Sequence, residues 1–173
     1  TGCIEGMGAA CRALGTPVVS GNVSLYNETD GRAILPTPVI GGVGVIEDIA
    51  RIATVAFKAE GESIVLLGET EGHLGQSLYL TAVTGEEAGP PPADLEAARR
   101  TGPFVRDSCA WLSVSASHDL SDGGRAVALA EMALAGGIGA EIAAPEGVGD
   151  LAAWLFGEDQ GRYLVTTADH EAL

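Results

Sequence analysis

Residues 113–143, SVSASHDLSDGGRAVALAEMALAGGIGAEIA, decide the fold. Residues 113–117 alternate small apolar and polar side chains, the period-two pattern of a strand. A polar, glycine-bearing turn follows, His118-Asp119-Leu120-Ser121-Asp122-Gly123-Gly124. An alanine-rich run through Ala135 then predicts a helix. Residues 138–143 alternate again and predict another strand. Toward the C-terminus the pattern predicts a short helix over 150–156, an acidic loop over 156–162 and a last strand over 163–167. Toward the N-terminus, Asp94 is placed to cap a helix carrying Val105, Cys109 and Leu112 on one face. Residues 85–93, with Gly85, Gly89 and three prolines, read as a surface connection. Leu74, Leu78 and Ala82 predict another helix, and residues 55–57 and 64–67 two strands around the turn Glu60-Gly61-Glu62. Further back lie a β-branched strand over 38–46, a polar loop over 20–29 and a short buried strand over 17–19. The first helix carries Ile4, Met7, Cys11 and Leu14 and ends at Gly15. Strands and helices alternate without βαβ regularity. The expected class is therefore α+β with mixed sheets and packed helices, in two pieces, 1–55 and 56–173, with the composition shifting near residues 53–59.

Composition narrows the function. The 173 residues carry 24 acidic and 9 basic side chains, a formal net charge of −15. That charge disfavours both a nucleic-acid backbone and an anionic membrane surface. With 46% hydrophobic residues the chain can bury a core. Its 25 glycines are dispersed, marking turns and close backbone approaches. Cys3, Cys11 and Cys109 give no disulfide framework and no CxxC spacing, as in a reduced cytoplasmic protein. No apolar run reaches membrane-spanning length and no signal peptide is evident. Both ends look cut, so the expectation is a piece of a longer polypeptide.

Three segments could carry chemistry. Ser20-Gly21-Asn22-Val23-Ser24 follows a strand and is dense in side-chain oxygens. Gly21 admits a phosphate to the backbone, Asn22 offers a hard oxygen to Mg²⁺, and Ser24 can donate to a substrate. A plain Asx/Ser turn accounts for the same residues, and on chemistry alone is the stronger reading. The 118–124 turn precedes a helix whose free N–H groups could hold an anion, while its two aspartates could hold a metal. Ordinary capping by Ser121 or Asp122, with His118-Asp119 in a turn, explains it as well. Residues 156–162 read as a solvated acidic turn, and His73 and His170 as turn or surface residues. The loop 68–75 lacks a P-loop lysine, and no GxSxG or HExxH motif occurs.

Taken in order, CRALGTPVVSGNVSLYNET (11–29), PTPVIGGVGVIED (36–48), FKAEGESIVLLGET (57–70), GHLGQSLYL (72–80), HDLSDGGRAVALAEMA (118–133) and LFGEDQGRYLV (155–165) span nearly the whole chain. Together they closely resemble the phosphoribosylformylglycinamidine synthase family, in the synthetase subunit of its small, multi-subunit bacterial form. The resemblance implies an aminoimidazole ribonucleotide synthetase-like fold: residues 1–55 would end the second N-terminal-type, ATP-binding domain, and 56–173 would form most of the second C-terminal-type domain. It implies an ATP-dependent ligase of purine biosynthesis that phosphorylates the amide oxygen of formylglycinamide ribonucleotide and lets ammonia displace the phosphate. It implies Mg²⁺ and ATP, a glutaminase subunit and a small adaptor subunit. Residue by residue, Gly21 matches an ATP contact, Asn22 a Mg²⁺ ligand and Ser24 a substrate contact. No catalytic residue is expected within these 173, because the family's catalytic histidines, its ATP-contacting lysine and most of its metal-binding acids lie in a half that nothing here matches. The stretch alone should therefore not turn over. Two other readings stay open: an ATP-dependent kinase of the same fold, and a dimerisation or scaffold module with no functional site.

Overall fold

The computed structural model describes residues 1–23 and 26–173. The chain divides into two compact units, Thr1–Glu47 and Asp48–Leu173.

The first unit opens with helix α1, Gly2–Leu14. Gly15 ends it in the left-handed conformation (φ 65°), its N–H returning to the Cys11 carbonyl. A small hairpin follows, with β1 (Glu28–Thr29) antiparallel to β2 (Arg32–Ala33). Asp30 and Gly31, at φ 51° and 75°, supply the two positive-φ positions that a tight two-residue turn matching the strand twist demands. The expected loop over 20–29 thus gives way to a hairpin at its end, and the missed signal is the Asp-Gly pair. The strands expected over 17–19 and 38–46 do not form. Val18, Val19, Val39, Ile40, Val43 and Val45 are all exposed. β-branched residues favour extended backbone, but a strand exists only with a hydrogen-bonding neighbour, and none of the described residues pairs with these stretches.

The second unit is built on a three-stranded antiparallel sheet in the order β3-β5-β4. β5 (Tyr163–Thr167) lies between β3 (Ser63–Leu67) and β4 (Ala116–Asp119). The register runs from Ser63↔Thr167 to Leu67↔Tyr163 on one side, and from Ala116↔Thr166 to Asp119↔Tyr163 on the other. Being central, β5 is the most buried strand, with Val165 at 0% exposure. α4 (Gly124–Gly136) packs Ala128, Leu129 and Met132 with Phe57, Ala116, Leu120 and Leu164 to make the core. Each large side chain fully buried there stabilises by about 1.5–3 kcal/mol. α2 (Leu78–Thr84) is capped by Ser77 Oγ, which accepts from Leu80 N. α3 (Leu95–Ala110) is capped by Asp94, whose carboxylate accepts from Glu96 and Ala97. α5 (Leu151–Phe156) is capped by Asp150 and lies against α4. Tyr79 and Phe156 stack at 4.7 Å between ring centroids.

Four boundaries differ from expectation. β4 begins at Ala116 rather than 113 and runs through His118 and Asp119, which are strand residues rather than a turn. Upstream, Leu112 at φ 59° and the Ser113 N–H to Ser108 O bond (3.1 Å) are still closing the end of α3. α2 begins at Leu78 rather than near Leu74, because Gln76 at φ 56° breaks helical geometry just ahead of the cap. Residues 55–57 form no strand: Thr54 makes a single parallel bridge to Ala116, and Phe57 turns into the core. Residues 138–143 are also unpaired.

Candidate functional site

The acidic loop after α5 lies inside the second unit rather than in solvent. Asp159 is 5% and Arg162 1% exposed. The Asp159 carboxylate accepts from three successive backbone N–H groups, Glu71 (3.1 Å), Gly72 (3.0 Å) and His73 (3.0 Å). It also bonds His73 Nδ1 at 2.7 Å and meets Arg162 Nη1 at 3.4 Å. Arg162 in turn donates to the carbonyls of Gly157 (2.6 Å) and Asp159 (3.2 Å) and to Thr70 Oγ1 (3.2 Å). Burial pushes the Asp159 carboxyl up. The N–H groups of His73 and Gly72, the His73 ring and Arg162 outweigh it and hold the group below the ordinary carboxylate range.

Glu158 does a second job. One carboxylate oxygen accepts from Leu78 N at 2.8 Å and from Gly123 N at 2.7 Å, so it caps the starts of α2 and α4 together. Gly123 is the N-cap of α4 and provides no side-chain cap, so neither Ser121 nor Asp122 plays that part. The helix start that could have received an external anion holds the chain's own carboxylate. The backbone just before Glu158 also packs closely on the start of α4. A Cβ on Gly124, at φ 59°, would overlap the Gly157 carbonyl oxygen.

Arg125 completes the cluster. It lies 4.0 Å over the Trp154 ring and donates to Thr70 Oγ1 at 3.2 Å. Its Nε has no hydrogen-bond partner among the described residues. Burial, then the neighbouring Arg162 charge, lower its pKa. The arrangement thus locks the loop 70–78 against the 157–162 loop and leaves the half-buried His73 with one ring nitrogen committed to Asp159. The available signal is the run Gly157-Glu158-Asp159-Gln160-Gly161-Arg162, two acids and an arginine set among glycines, and the loop it forms is packed rather than solvated.

His118 and Asp119 sit at the end of β4. His118 Nε2 bonds Glu131 Oε2 at 3.0 Å, tying β4 to α4. Its Nδ1 lies 3.4 Å from Asp119 Oδ1, within ion-pair range but without hydrogen-bond geometry. Ser121 Oγ donates to Asp119, and that bond chiefly holds the Asp119 carboxyl below its ordinary value. No group of three or more His, Cys, Asp or Glu side chains among the described residues is arranged to hold a metal.

The residues singled out from sequence lie in the first unit. Gly21 and Asn22 occupy exposed backbone without regular structure, and a Cβ on Gly21 would meet nothing within 4 Å among the described residues. Ser24 falls outside the described residues.

Comparison with known proteins places these features. A family described as AIR synthase related protein, C-terminal domain, matches residues 59–173. Phosphoribosylformylglycinamidine synthase subunit PurL of Parvibaculum lavamentivorans is 60% identical over 99% of this chain, which covers 23% of that protein. The protein of the same name from Bradyrhizobium sp. strain BTAi1 is 61% identical over 99% of the chain, again 23% of its own length. The chain thus spans less than a quarter of the length of these curated relatives. Among solved structures, T. maritima PurL complexed with FGAR aligns with a TM-score of 0.57 at 21% identity, over 72% of this chain and 22% of that one. The same protein complexed with ATP gives 0.53 at 19% identity, over 72% and 20%. At such identity these two alignments speak for the α+β fold alone. The family match covers the whole sheet, its helices and the Asp159–Arg162 network, and the chain belongs to the AIR synthase related family through that family's C-terminal domain.

Proposed function

We propose that this chain is part of the synthetase subunit of a phosphoribosylformylglycinamidine synthase. The observation that carries the reading is the 60% identity, sustained over 99% of the chain, to subunits of that name. In this reading the complete enzyme phosphorylates the amide oxygen of formylglycinamide ribonucleotide with ATP, turning a poor leaving group into a good one. Ammonia from a glutaminase subunit, docked with a small adaptor subunit, then displaces phosphate. The protein's task is to position anionic nucleotides and offset their charge. The enzyme works in the cytoplasm.

Within the chain, Gly21 would let ATP approach the backbone, Asn22 would give its side-chain oxygen to Mg²⁺, and Ser24 would contact substrate. Mg²⁺ supplies charge neutralisation at the phosphates when bound, and a neutral amide oxygen is a suitable hard donor. On a chain of net charge −15, phosphate binding has to be local, through bare backbone and a cation. Residues 1–55 belong in this reading to an ATP-binding domain, and residues 56–173 to the domain that supports it. The carboxylates of Asp159 and Glu158, both taken up by the chain's own N–H groups, favour a supporting role for that second part.

The test is Asn22→Ala in the full-length protein. A loss of Mg²⁺-dependent turnover of at least ~10²-fold with unchanged thermal stability is expected, in line with removal of one group that stabilises transition-state charge. Unchanged turnover would favour the scaffold reading. The 173-residue chain alone is expected to form no amidine product with ammonium as nitrogen donor.

A further inference from the structure

His118 lies near the end of β4, on the face of the sheet that carries α4, two residues beyond the buried Ala116. Its ring stands between two carboxylates. Nε2 is 3.0 Å from Glu131 Oε2 on α4, and Nδ1 is 3.4 Å from Asp119 Oδ1. Nδ1 is sealed from solvent and has no hydrogen-bond partner among the described residues. A neutral imidazole carries one N–H and one bare nitrogen. With the proton on Nε2, Glu131 is served, and the bare Nδ1 faces a second acceptor, Asp119, with no hydrogen between them. With the proton on Nδ1, the same conflict moves to Glu131. Neither neutral tautomer serves both carboxylates. The imidazolium, a donor at both nitrogens, does.

The elements around the ring leave its charge to these two acids. On α4, the group bonded to it is Glu131. β5 sets Leu164 opposite His118 and Tyr163 opposite Asp119. The segment flanking β4, bridged at Thr54 to Ala116, carries Lys58, which donates to Thr54 Oγ1. In the turn beyond β4, Asp122 is exposed, and Ser121 Oγ donates to Asp119 Oδ2, which leaves Oδ1 for the ring. We propose that His118 is a proton-operated staple: protonated, it ties Asp119 and the turn after β4 to Glu131 on α4, and deprotonated it lets Asp119 go. The imidazolium is held better in the fold than in the unfolded chain. Its stabilisation is therefore fully present below the ordinary histidine range, near ~6.5, and is lost as pH rises above it. Asp119 and Glu131 are 63% and 56% exposed, so each pair has the modest worth of a partly screened one. The staple is independent of the activity proposed above, and it engages the run His118–Gly124, to which that activity gives no part.

Titration of the full-length protein, labelled at histidine and followed by NMR, tests it. The His118 signal is the one lost in His118→Gln. Asp119→Asn and Glu131→Gln each remove one acid at a more than half-exposed position by a nearly isosteric change, so the fold is retained. Each is expected to weaken proton binding at His118 about threefold, read as a titration midpoint about half a pH unit lower than in the wild type. The wild type should also gain melting temperature relative to His118→Gln as pH falls from about 8 to about 6. A His118 midpoint that either substitution leaves unmoved would overturn the staple. So would a melting difference between wild type and His118→Gln that stays constant across that range, which is the behaviour of a histidine held only by packing.

Discussion

Asp159 is the residue on which the second unit's polar architecture depends. Its two oxygens face three backbone N–H groups, an imidazole and a guanidinium, and among the described residues Arg162 has no other carboxylate within ion-pair distance. Asp159→Asn is nearly isosteric but puts an NH₂ where an acceptor is required, and it strips a buried arginine of its counter-charge. Removing one partner of a buried ion pair costs about 3–5 kcal/mol, well above the value of a surface pair. Urea denaturation should show a lowered midpoint of that order at unchanged slope. The same carboxyl predicts acid behaviour. Its folded pKa lies below its unfolded value near ~3.9, so its contribution is fully present above that value and is lost as pH falls through the folded value. Wild-type stability should therefore drop on acidification below about pH 4, and the Asn variant should lack that component of the slope.

At the scale of elements, the helix starts explain which parts of the fold could be read in advance. Asp94 and Asp150 cap α3 and α5 through their own side chains, so both helices are announced locally by an acid just ahead of the first turn. Strands β3 and β5 are legible too, because Ile64-Val65-Leu66-Leu67 and Tyr163-Leu164-Val165 are unbroken apolar runs that pair half-buried in β3 and mostly buried in β5. α4 is different. Its cap comes from Glu158, 35 residues away, and only the closed fold brings the two together. The acidic loop misread as solvated failed for the same reason, since its partners, residues 70–73, lie almost ninety positions upstream. Residues 17–19 and 38–46 carry the composition of strands, but composition cannot supply a neighbour. For the candidate site, chemistry alone leaves Gly21, Asn22 and Ser24 indistinguishable from an ordinary turn, and it is the resemblance that favours a site there; Gly21 and Asn22 lie on exposed backbone without regular structure. The α4 junction also yields a prediction. Gly124→Ala places a methyl against the Gly157 carbonyl at a positive φ, where a side chain is already strained. A loss of about 2 kcal/mol or more is expected, read as a lowered melting temperature. Gly139→Ala, where a Cβ would meet nothing within 4 Å, should change it little.

For the whole molecule, the two units differ in what holds them. The second has a core with Ala116, Met132 and Val165 at 0% exposure and a buried polar network around Asp159 and Arg162. The first buries none of the residues of α1, β1 or β2, and it displays Ile4, Val19, Leu35, Val39 and Val43 to solvent. Local opening costs little where few apolar contacts must break, so the units should part in a proteolysis experiment on the 173-residue chain. Trypsin offers a graded readout, because the nine basic residues fall on both sides of the divide. Arg12, Arg32 and Arg51 lie in or next to the first unit, and Arg32 stands on an exposed two-residue strand. Arg125 and Arg162 are at 7% and 1% exposure in the second. Cleavage after Arg32 and Arg51 should run to completion while the bonds after Arg125 and Arg162 persist, leaving a resistant fragment that begins near Ile52. Mass spectrometry of the time course identifies it. Early cutting after Arg162 would mean that the Asp159 network opens as readily as the hairpin, and that the buried ion pair does not secure the second unit.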